Sequence, residues 1–219
     1  MNHFHVYNAG YPGDTTVELL ARFDRDVSAR HPDAVVLLAG SNDMFYPGHM
    51  LELPSYRHNM EKLLDKIEAW GAKVILLTAP RFLKNLLIEN FPETMENPLS
   101  IDERFSKLNQ TIRLLAAERS ALLVDVCKLI APVDESIESL ILNPANSNRR
   151  DGMHLTAAGY GIIAQNVYDI LQEFCPEART IVCLGDSITY GVYMRGKGTA
   201  SGDALTYPGQ LSKLLESIR

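Results

Sequence analysis

The residues with the clearest potential for catalysis lie in four short clusters. Ser187 follows an apolar run at residues 181–184. Asn-Ala-Gly at 8–10 and Gly-Ser-Asn-Asp at 40–43 follow two other apolar segments, and Asp-Gly-Met-His at 151–154 precedes a long helical pattern. Because open α/β sheets place their chemistry at the carboxyl ends of parallel strands, we expect the first three clusters to share one sheet edge.

These residue types suit acyl transfer by a serine nucleophile. A serine hydroxyl needs an adjacent base, and His154 can supply one. Asp151, three residues earlier, can accept a hydrogen bond from Nδ1 of His154 and stabilise the imidazolium as it forms. The backbone N–H groups of Gly10 and Ser187, together with the side-chain amide of Asn42, can donate to the oxyanion of a tetrahedral intermediate. The combination predicts a complete catalytic set.

Each cluster alone has an ordinary structural explanation. A Gly-Asp-Ser tripeptide is common in turns, and an Asp-x-x-His pair often serves only to cap a loop. Asn and Asp tolerate the unusual backbone angles of turns. The functional interpretation therefore depends on all four clusters occurring at compatible positions. Phe45 and Tyr46, just past Asn42, fit either the wall of a substrate pocket or a loop packed on the core.

Strand-like and helix-like patterns alternate along the chain. Continuous apolar runs indicate strands covered on both faces, and apolar residues at helical spacing indicate amphipathic helices. This alternation predicts a mainly parallel sheet with right-handed crossovers. The predicted strands are residues 4–8, 34–39, 73–78, 122–126 and 181–184, and the predicted helices are residues 14–26, 55–71, 102–115, 136–142, 156–174 and 206–218.

Length and composition limit the class of protein. A chain of 219 residues that is 46% hydrophobic fits one domain over residues 1–219. A net charge of −6 without a basic run argues against nucleic-acid binding. Neither a membrane span nor a signal peptide is predicted. The widely spaced Cys127, Cys175 and Cys183 fit reduced thiols, so we expect a cytoplasmic location.

The four clusters resemble the sequence blocks of the SGNH hydrolases, the GDSL esterase/lipase family, which is named for its Ser, Gly, Asn and His. Gly-Asp-Ser-Ile at 185–188 matches the serine block, with Ile in place of Leu. The resemblance implies a three-layer α/β/α, flavodoxin-like fold with a five-stranded parallel sheet. It also implies ester hydrolysis without a metal or cofactor, with Ser187 as nucleophile, His154 as base, Asp151 as orienting acid, and Gly10 and Asn42 in the oxyanion hole.

The order of these blocks departs from the family pattern. In the family the serine block comes first and the Asp/His block last, whereas here the serine block is last. Moving residues 180–219 ahead of residue 1 restores the family order, so we interpret the chain as a circular permutant whose former termini are joined near residues 175–180. The family sheet order then predicts that strand 181–184 lies in the sheet interior, between the first and second strands.

The sequence thus predicts a serine esterase that hydrolyses small acyl or acetyl esters through an acyl-enzyme. Two alternatives stay open: an acyltransferase using the same site, and a non-catalytic carbohydrate- or lipid-binding module on the same fold. The complete set of site residues favours catalysis. The natural ester, the oligomeric state and the origin of the permutation, natural or engineered, cannot be read from the sequence.

Overall fold

A five-stranded sheet organises the structure, a computed structural model that describes residues 4–131 and 133–217. All strand pairings are parallel, and the spatial order is first, fifth, second, third, fourth. This order confirms the predicted position of the last strand. The strands are β1 (His5–Gly10), β2 (Ala34–Leu38), β3 (Lys73–Leu77), β4 (Leu122–Val124) and β5 (Thr180–Gly185).

Strand β5 forms hydrogen bonds along both of its edges. It pairs with β1 from His5↔Thr180 to Gly10↔Gly185 and with β2 from Ala34 to Leu38. All of its residues after Thr180 are buried. A strand covered on both faces and paired on both edges requires a continuous apolar run, which explains the sequence Ile-Val-Cys-Leu before the serine block.

Helices cover both faces of this sheet. None of those within the described residues is long and apolar enough to cross a lipid bilayer. Short 3₁₀ helices occur at Ser28–Arg30 and Pro92–Glu96. The α-helices are α1 (Thr16–Asp26), α2 (Ser41–Phe45), α3 (Leu53–Ala69), α4 (Lys84–Asn90), α5 (Ile101–Glu118), α6 (Val126–Leu129), α7 (Pro144–Ser147), α8 (Ala157–Phe174), α9 (Ser187–Tyr190) and α10 (Tyr207–Glu216).

The side chains of β5 show how the core is divided. Val182 and Leu184 point to the face covered by α1, α3 and α5. Ile181 and Cys183 point to the opposite face, which α8 and α10 cover. Successive residues of a strand face opposite sides of a sheet, so one apolar strand supplies both cores. The predicted three-layer α/β/α architecture is confirmed.

Local capping sets helix boundaries that the apolar pattern misplaces. Helix α1, predicted to start at residue 14, is capped by Thr15, and Glu18 completes a capping box. Helix α5, predicted to start at residue 102, is capped by Ser100, again with a glutamate three residues later. In each case a capping hydroxyl is followed three residues later by Glu. The hydroxyl accepts a backbone N–H of the first helical turn and the Glu accepts the N–H of the capping residue, so two N–H groups without helical partners are satisfied.

One predicted helix, residues 136–142, is wrong. Ser136 donates to Asp134 through both its N–H and its hydroxyl, and Ile141 pairs with Leu155 in an isolated antiparallel bridge. Local side-chain bonds of this kind compete with helix formation. The last predicted helix is observed as α10, and Ile218 lies outside the described residues.

Candidate active site

The fold brings four of the predicted site residues to one cavity at the carboxyl edge of the sheet. Ser187 begins α9 directly after β5, and Asn42 lies in α2 directly after β2. Asp151 and His154 lie in the loop before α8. All four line a cavity of about 650 Å³. Ligand sites of open α/β sheets form outside the carboxyl ends of strands, and this cavity occupies that position.

A continuous hydrogen-bonded chain joins three of these side chains. Nε2 of His154 lies 2.9 Å from Oγ of Ser187. Nδ1 of the same ring lies 2.7 Å from Oδ1 of Asp151. With Nδ1 protonated and donating to the carboxylate, Nε2 carries the lone pair that can take the serine proton. The geometry therefore fits a nucleophile, a general base and an orienting acid.

The carboxylate of Asp151 is fixed by its own loop. Its Oδ2 accepts the backbone N–H groups of Met153 at 3.0 Å and His154 at 2.6 Å. Burial acts to raise the pKa of Asp151, but the hydrogen bonds and charge of His154 outweigh it, so the pKa is lowered from its ordinary value. The group is therefore ionised at neutral pH and can stabilise an imidazolium.

The structure contradicts the prediction that Gly10 donates to the oxyanion. The N–H of Gly10 is already bonded to Oδ1 of Asn8 at 3.0 Å, and Gly10 is not among the residues that line the cavity. A Cβ at this position would lie 2.2 Å from the backbone nitrogen of Tyr190. Gly10 thus has a packing role, because it lets the helix that carries Ser187 lie directly against β1.

Gly13, three residues after Gly10, is a cavity-lining glycine. It lines the cavity together with Ser187 and Asn42 and has a φ of +87°, a conformation that glycine adopts without steric cost. Within the described residues its N–H has no hydrogen-bond acceptor, and the same is true of the N–H of Ser187. The sequence contains a signal for this turn, since Pro12-Gly13 is a turn dipeptide with glycine at the positive-φ position.

A buried polar network orients the amide of Asn42. Its Nδ2 donates to the carbonyl oxygen of Asp14 at 2.7 Å, and the second N–H of the same nitrogen has no acceptor among the described residues. The carboxylate of Asp14 accepts from Nε of Arg22 at 2.6 Å, and Arg22 also donates to the carbonyl oxygen of Gly185 at 2.8 Å. Arg22 therefore connects the end of β5 to Asp14, whose carbonyl oxygen orients Asn42.

Two acids close to the nucleophile are almost fully buried. Asp186, next to Ser187, accepts from the N–H of Ile188 through Oδ1, while its Oδ2 has no partner within the described residues. Burial raises the pKa of Asp186 to about 7. Burial also raises the pKa of Asp43 to about 6, despite hydrogen bonds from Thr16. Both carboxyl groups hold protons at pH values where ordinary aspartates are ionised.

Aromatic side chains form much of the cavity wall. Phe45 and Tyr46 both line it, and the ring of Tyr46 meets that of Phe91 edge to face at 5.7 Å. Tyr193 meets the ring of His154 at 5.7 Å with an interplanar angle of 89°. The sequence pattern did not single out Tyr193, which follows Ser187 by six residues and has a positive φ of 69°. Positive φ is uncommon for a bulky side chain.

Comparison with known proteins identifies the family of this chain. A model of the GDSL-like Lipase/Acylhydrolase family matches residues 1–162. The chain belongs to this family. Membership supports an ester hydrolase, the class of enzyme that the sequence predicts. The matched region contains Asn42, Asp151 and His154, and it ends before Ser187.

Individual relatives of this GDSL-family protein include esterases. An acetylxylan esterase of Geobacillus stearothermophilus is 28% identical over 160 residues, which cover 73% of this chain and 68% of that protein. A lipase/acylhydrolase from Enterococcus faecalis is 25% identical, with a TM-score of 0.59 over 76% of this chain and 75% of that one. The acetyl xylan esterase AlAXEase aligns with 55% of this chain at 24% identity and a TM-score of 0.47. The aligned part is 58% of AlAXEase, so this chain spans less than two thirds of that protein.

Proposed function

We propose that this protein is a serine esterase in which Ser187, His154 and Asp151 act as a catalytic triad. The observation that carries the proposal is the position of His154, whose ring bridges the serine hydroxyl at 2.9 Å and the Asp151 carboxylate at 2.7 Å inside the cavity. Distances of this kind are within reach of direct proton transfer. A histidine with only a structural role has no need of both partners.

Acylation begins when Nε2 of His154 takes the proton of Ser187 Oγ. The Oγ attacks the ester carbonyl carbon, and the carbonyl oxygen becomes an oxyanion. It accepts hydrogen bonds from the N–H groups of Ser187 and Gly13 and from the free N–H of Asn42. Removing one such donor costs about 3 to 4 kcal/mol of barrier in other enzymes. Gly13 replaces Gly10 in this role.

The tetrahedral intermediate then collapses to an acyl-enzyme. The bond to the alcohol oxygen breaks, and that oxygen takes the proton from His154. A water molecule next gives its proton to His154 and attacks the acyl carbon. The second collapse releases the carboxylic acid and returns the proton to Ser187. Each step needs only the described residues and water, and Asp151 stabilises the imidazolium in both halves.

We propose small acyl esters, acetyl esters first among them, as substrates. The 28% identical relative is named an acetylxylan esterase, which supports an acetyl group on a carbohydrate alcohol. Asn90 and Asn148 also line the cavity, next to its aromatic wall. Phe45 and Tyr46 are proposed to contact the substrate there, because sugar rings offer both apolar faces and hydroxyl groups.

We also propose that the chain is a circular permutant forming one domain over residues 1–219. The sheet order places β5 between β1 and β2, and it becomes the flavodoxin-like order 2-1-3-4-5 when β5 is counted first. The family match to residues 1–162 is what a serine block moved to the end of the chain predicts.

The three free cysteines support the cytoplasmic location expected for the protein.

Steady-state hydrolysis of p-nitrophenyl esters tests the proposed function. We expect the acetyl ester to be cleaved, with kcat reduced at least about 10³-fold in Ser187→Ala and in His154→Ala. Ser139→Ala is a matched control, since this serine is buried and lies outside the cavity. Equal rates for the Ser187→Ala variant and the unaltered chain would contradict the proposal. Release of an acylated alcohol instead of acid, when glycerol is added, would identify an acyltransferase.

A further inference from the structure

Arg149 lies at the mouth of the catalytic cavity, and its guanidinium forms no salt bridge within the described residues. The residue is exposed and lines the same cavity as Ser187 and His154. Its guanidinium carbon lies 4.2 Å from the centre of the Tyr193 ring. Tyr193 in turn meets the ring of His154. The guanidinium is therefore one aromatic ring away from the catalytic base.

The neighbouring charges do not neutralise Arg149. Arg150, the next residue, forms a salt bridge with Glu89. Asp151 is committed to His154. Within the described residues Arg149 forms neither a salt bridge nor a hydrogen bond, whereas the buried Arg22 forms both. The mouth of the cavity thus carries an unpaired positive charge, although the chain as a whole has a net charge of −6.

The arrangement leaves the donors of the guanidinium available. Its central carbon lies over the Tyr193 ring, and none of its N–H groups donates a hydrogen bond to a protein acceptor within the described residues. A guanidinium presented in this way matches the two oxygens of a carboxylate, which it can bind through two parallel hydrogen bonds. The aromatic contact also restricts the side chain before a ligand arrives, which lowers the entropy lost on binding.

The position next to His154 indicates which half of an ester this charge would meet. In the proposed mechanism the alcohol oxygen must lie within hydrogen-bond reach of Nε2 of His154 to receive its proton. Substituents on the alcohol therefore extend from His154 toward the residues around that ring. Tyr193 is in contact with the ring, and Arg149 lies just beyond it.

We propose that Arg149 is a specificity residue that binds a carboxylate on the alcohol part of the ester, so that esters of acidic alcohols, such as O-acylated sugar acids, are preferred over esters of neutral alcohols. The inference rests on the proposed function, because it assumes that the ester is cleaved at Ser187. It adds a substrate class that neither the triad nor the relatives' names indicate.

Paired substrates of equal shape test this preference. The probes are 4-acetoxybenzoate, which has a carboxylate on the leaving group, and 4-acetoxybenzamide, which has a neutral amide in the same place. The ratio of their kcat/KM values is compared between the unaltered chain, Arg149→Gln and Arg149→Lys. Arg30→Gln is the matched control, because Arg30 also stacks on a tyrosine ring, at 4.6 Å from Tyr7, but does not line the cavity.

Arg149→Gln should lower the benzoate-to-benzamide ratio about tenfold, the lower end of what a hydrogen bond to a charged group contributes. Arg149→Lys should lower it less, because lysine keeps the charge but loses the planar fork. Arg30→Gln should leave it unchanged. The ratio of the unaltered chain should also fall between about 0.01 M and about 1 M salt, as the Debye length shortens from about 30 to about 3 Å.

Two outcomes would overturn the proposal: a ratio that Arg149→Gln leaves unchanged, with or without an equal loss of activity on both substrates, or an equal change of the ratio in Arg30→Gln. An equal loss on both substrates would assign Arg149 to the positioning of Tyr193. Failure of the proposed function is distinguishable from all of these, because the unaltered chain would then hydrolyse neither acetate ester.

Discussion

Replacing Asp186 with asparagine removes a buried carboxyl group beside the nucleophile with little change in shape. The side chain is 1% exposed, and one oxygen accepts the N–H of Ile188 at 2.9 Å. The other oxygen has no partner within the described residues. An asparagine can keep the first hydrogen bond through its own oxygen and carries no charge. The substitution therefore tests the cost of ionising this position.

The direction of the effect follows from the pKa of Asp186. Burial raises it from 3.8 to about 7, so the folded protein holds this proton over a pH range in which the unfolded chain has released it. Stability contributed by the neutral form is fully present below about pH 4 and is lost as pH rises toward 7. At about 1.4 kcal/mol per pKa unit, the whole difference sets an upper limit of about 4 kcal/mol.

Urea unfolding of the unaltered chain and of Asp186→Asn at about pH 4.5 and about pH 8 measures how much the ionisation of Asp186 changes the free energy of unfolding. We expect the two proteins to be similar at the lower pH and the variant to be more stable by about 1 to 4 kcal/mol at the higher pH. Asp125→Asn is a control of opposite sign, because Arg113, Lys128 and Thr78 hold the pKa of Asp125 down at about 2 against its partial burial. That variant should be destabilised at pH 8.

A difference between Asp186→Asn and the unaltered chain that is the same at both pH values would refute this reasoning. So would a variant that is less stable at pH 8. Either result would mean that the carboxylate of Asp186 is ionised and satisfied in the folded protein. The neighbouring acid Asp43, whose pKa is raised to about 6, is present in both proteins, and its charge contributes to the raised pKa of Asp186.

Two further predictions concern the proposed triad and the chain order. Asp151→Asn should lower kcat for acetyl esters about 10³- to 10⁴-fold, because an amide nitrogen facing Nδ1 of His154 favours the wrong tautomer; a loss below about tenfold in steady-state kinetics would contradict the assigned role. A relinked chain that begins at Thr180, with residue 219 joined to residue 1 by a short Gly/Ser linker, should fold and hydrolyse acetyl esters at a similar rate. A relinked chain that shows native-like circular dichroism but no activity would contradict the permutation.

The strands were predictable because burial on two faces leaves a strong signal. The runs that became β2 and β5 are apolar at nearly every position, and their order followed from the family resemblance. Helix starts were less predictable. The choice between Asp14 and Thr15 depends on a capping box that the apolar periodicity does not report.

The grouping of Ser187, Asp151 and His154 was predictable because few residue types can do this chemistry, and the structure joins the three by hydrogen bonds. The glycine that lines the cavity was not, because a backbone donor is defined by position and not by side chain. Gly10 and Gly13 lie three residues apart, and Gly13, in the turn after Pro12, is the one that lines the cavity. Tyr193 and Arg149 come from two distant segments, so no local pattern could connect them to His154.

Covalent labelling tests the central claim most directly. A fluorophosphonate probe reacts with a serine whose hydroxyl is activated by a base. We expect mass spectrometry of the labelled, digested protein to place one adduct on Ser187, and we expect no labelling of Ser187→Ala and strongly reduced labelling of His154→Ala. Stoichiometric labelling of Ser187→Ala, or an unlabelled native chain, would contradict the account of Ser187 as the nucleophile.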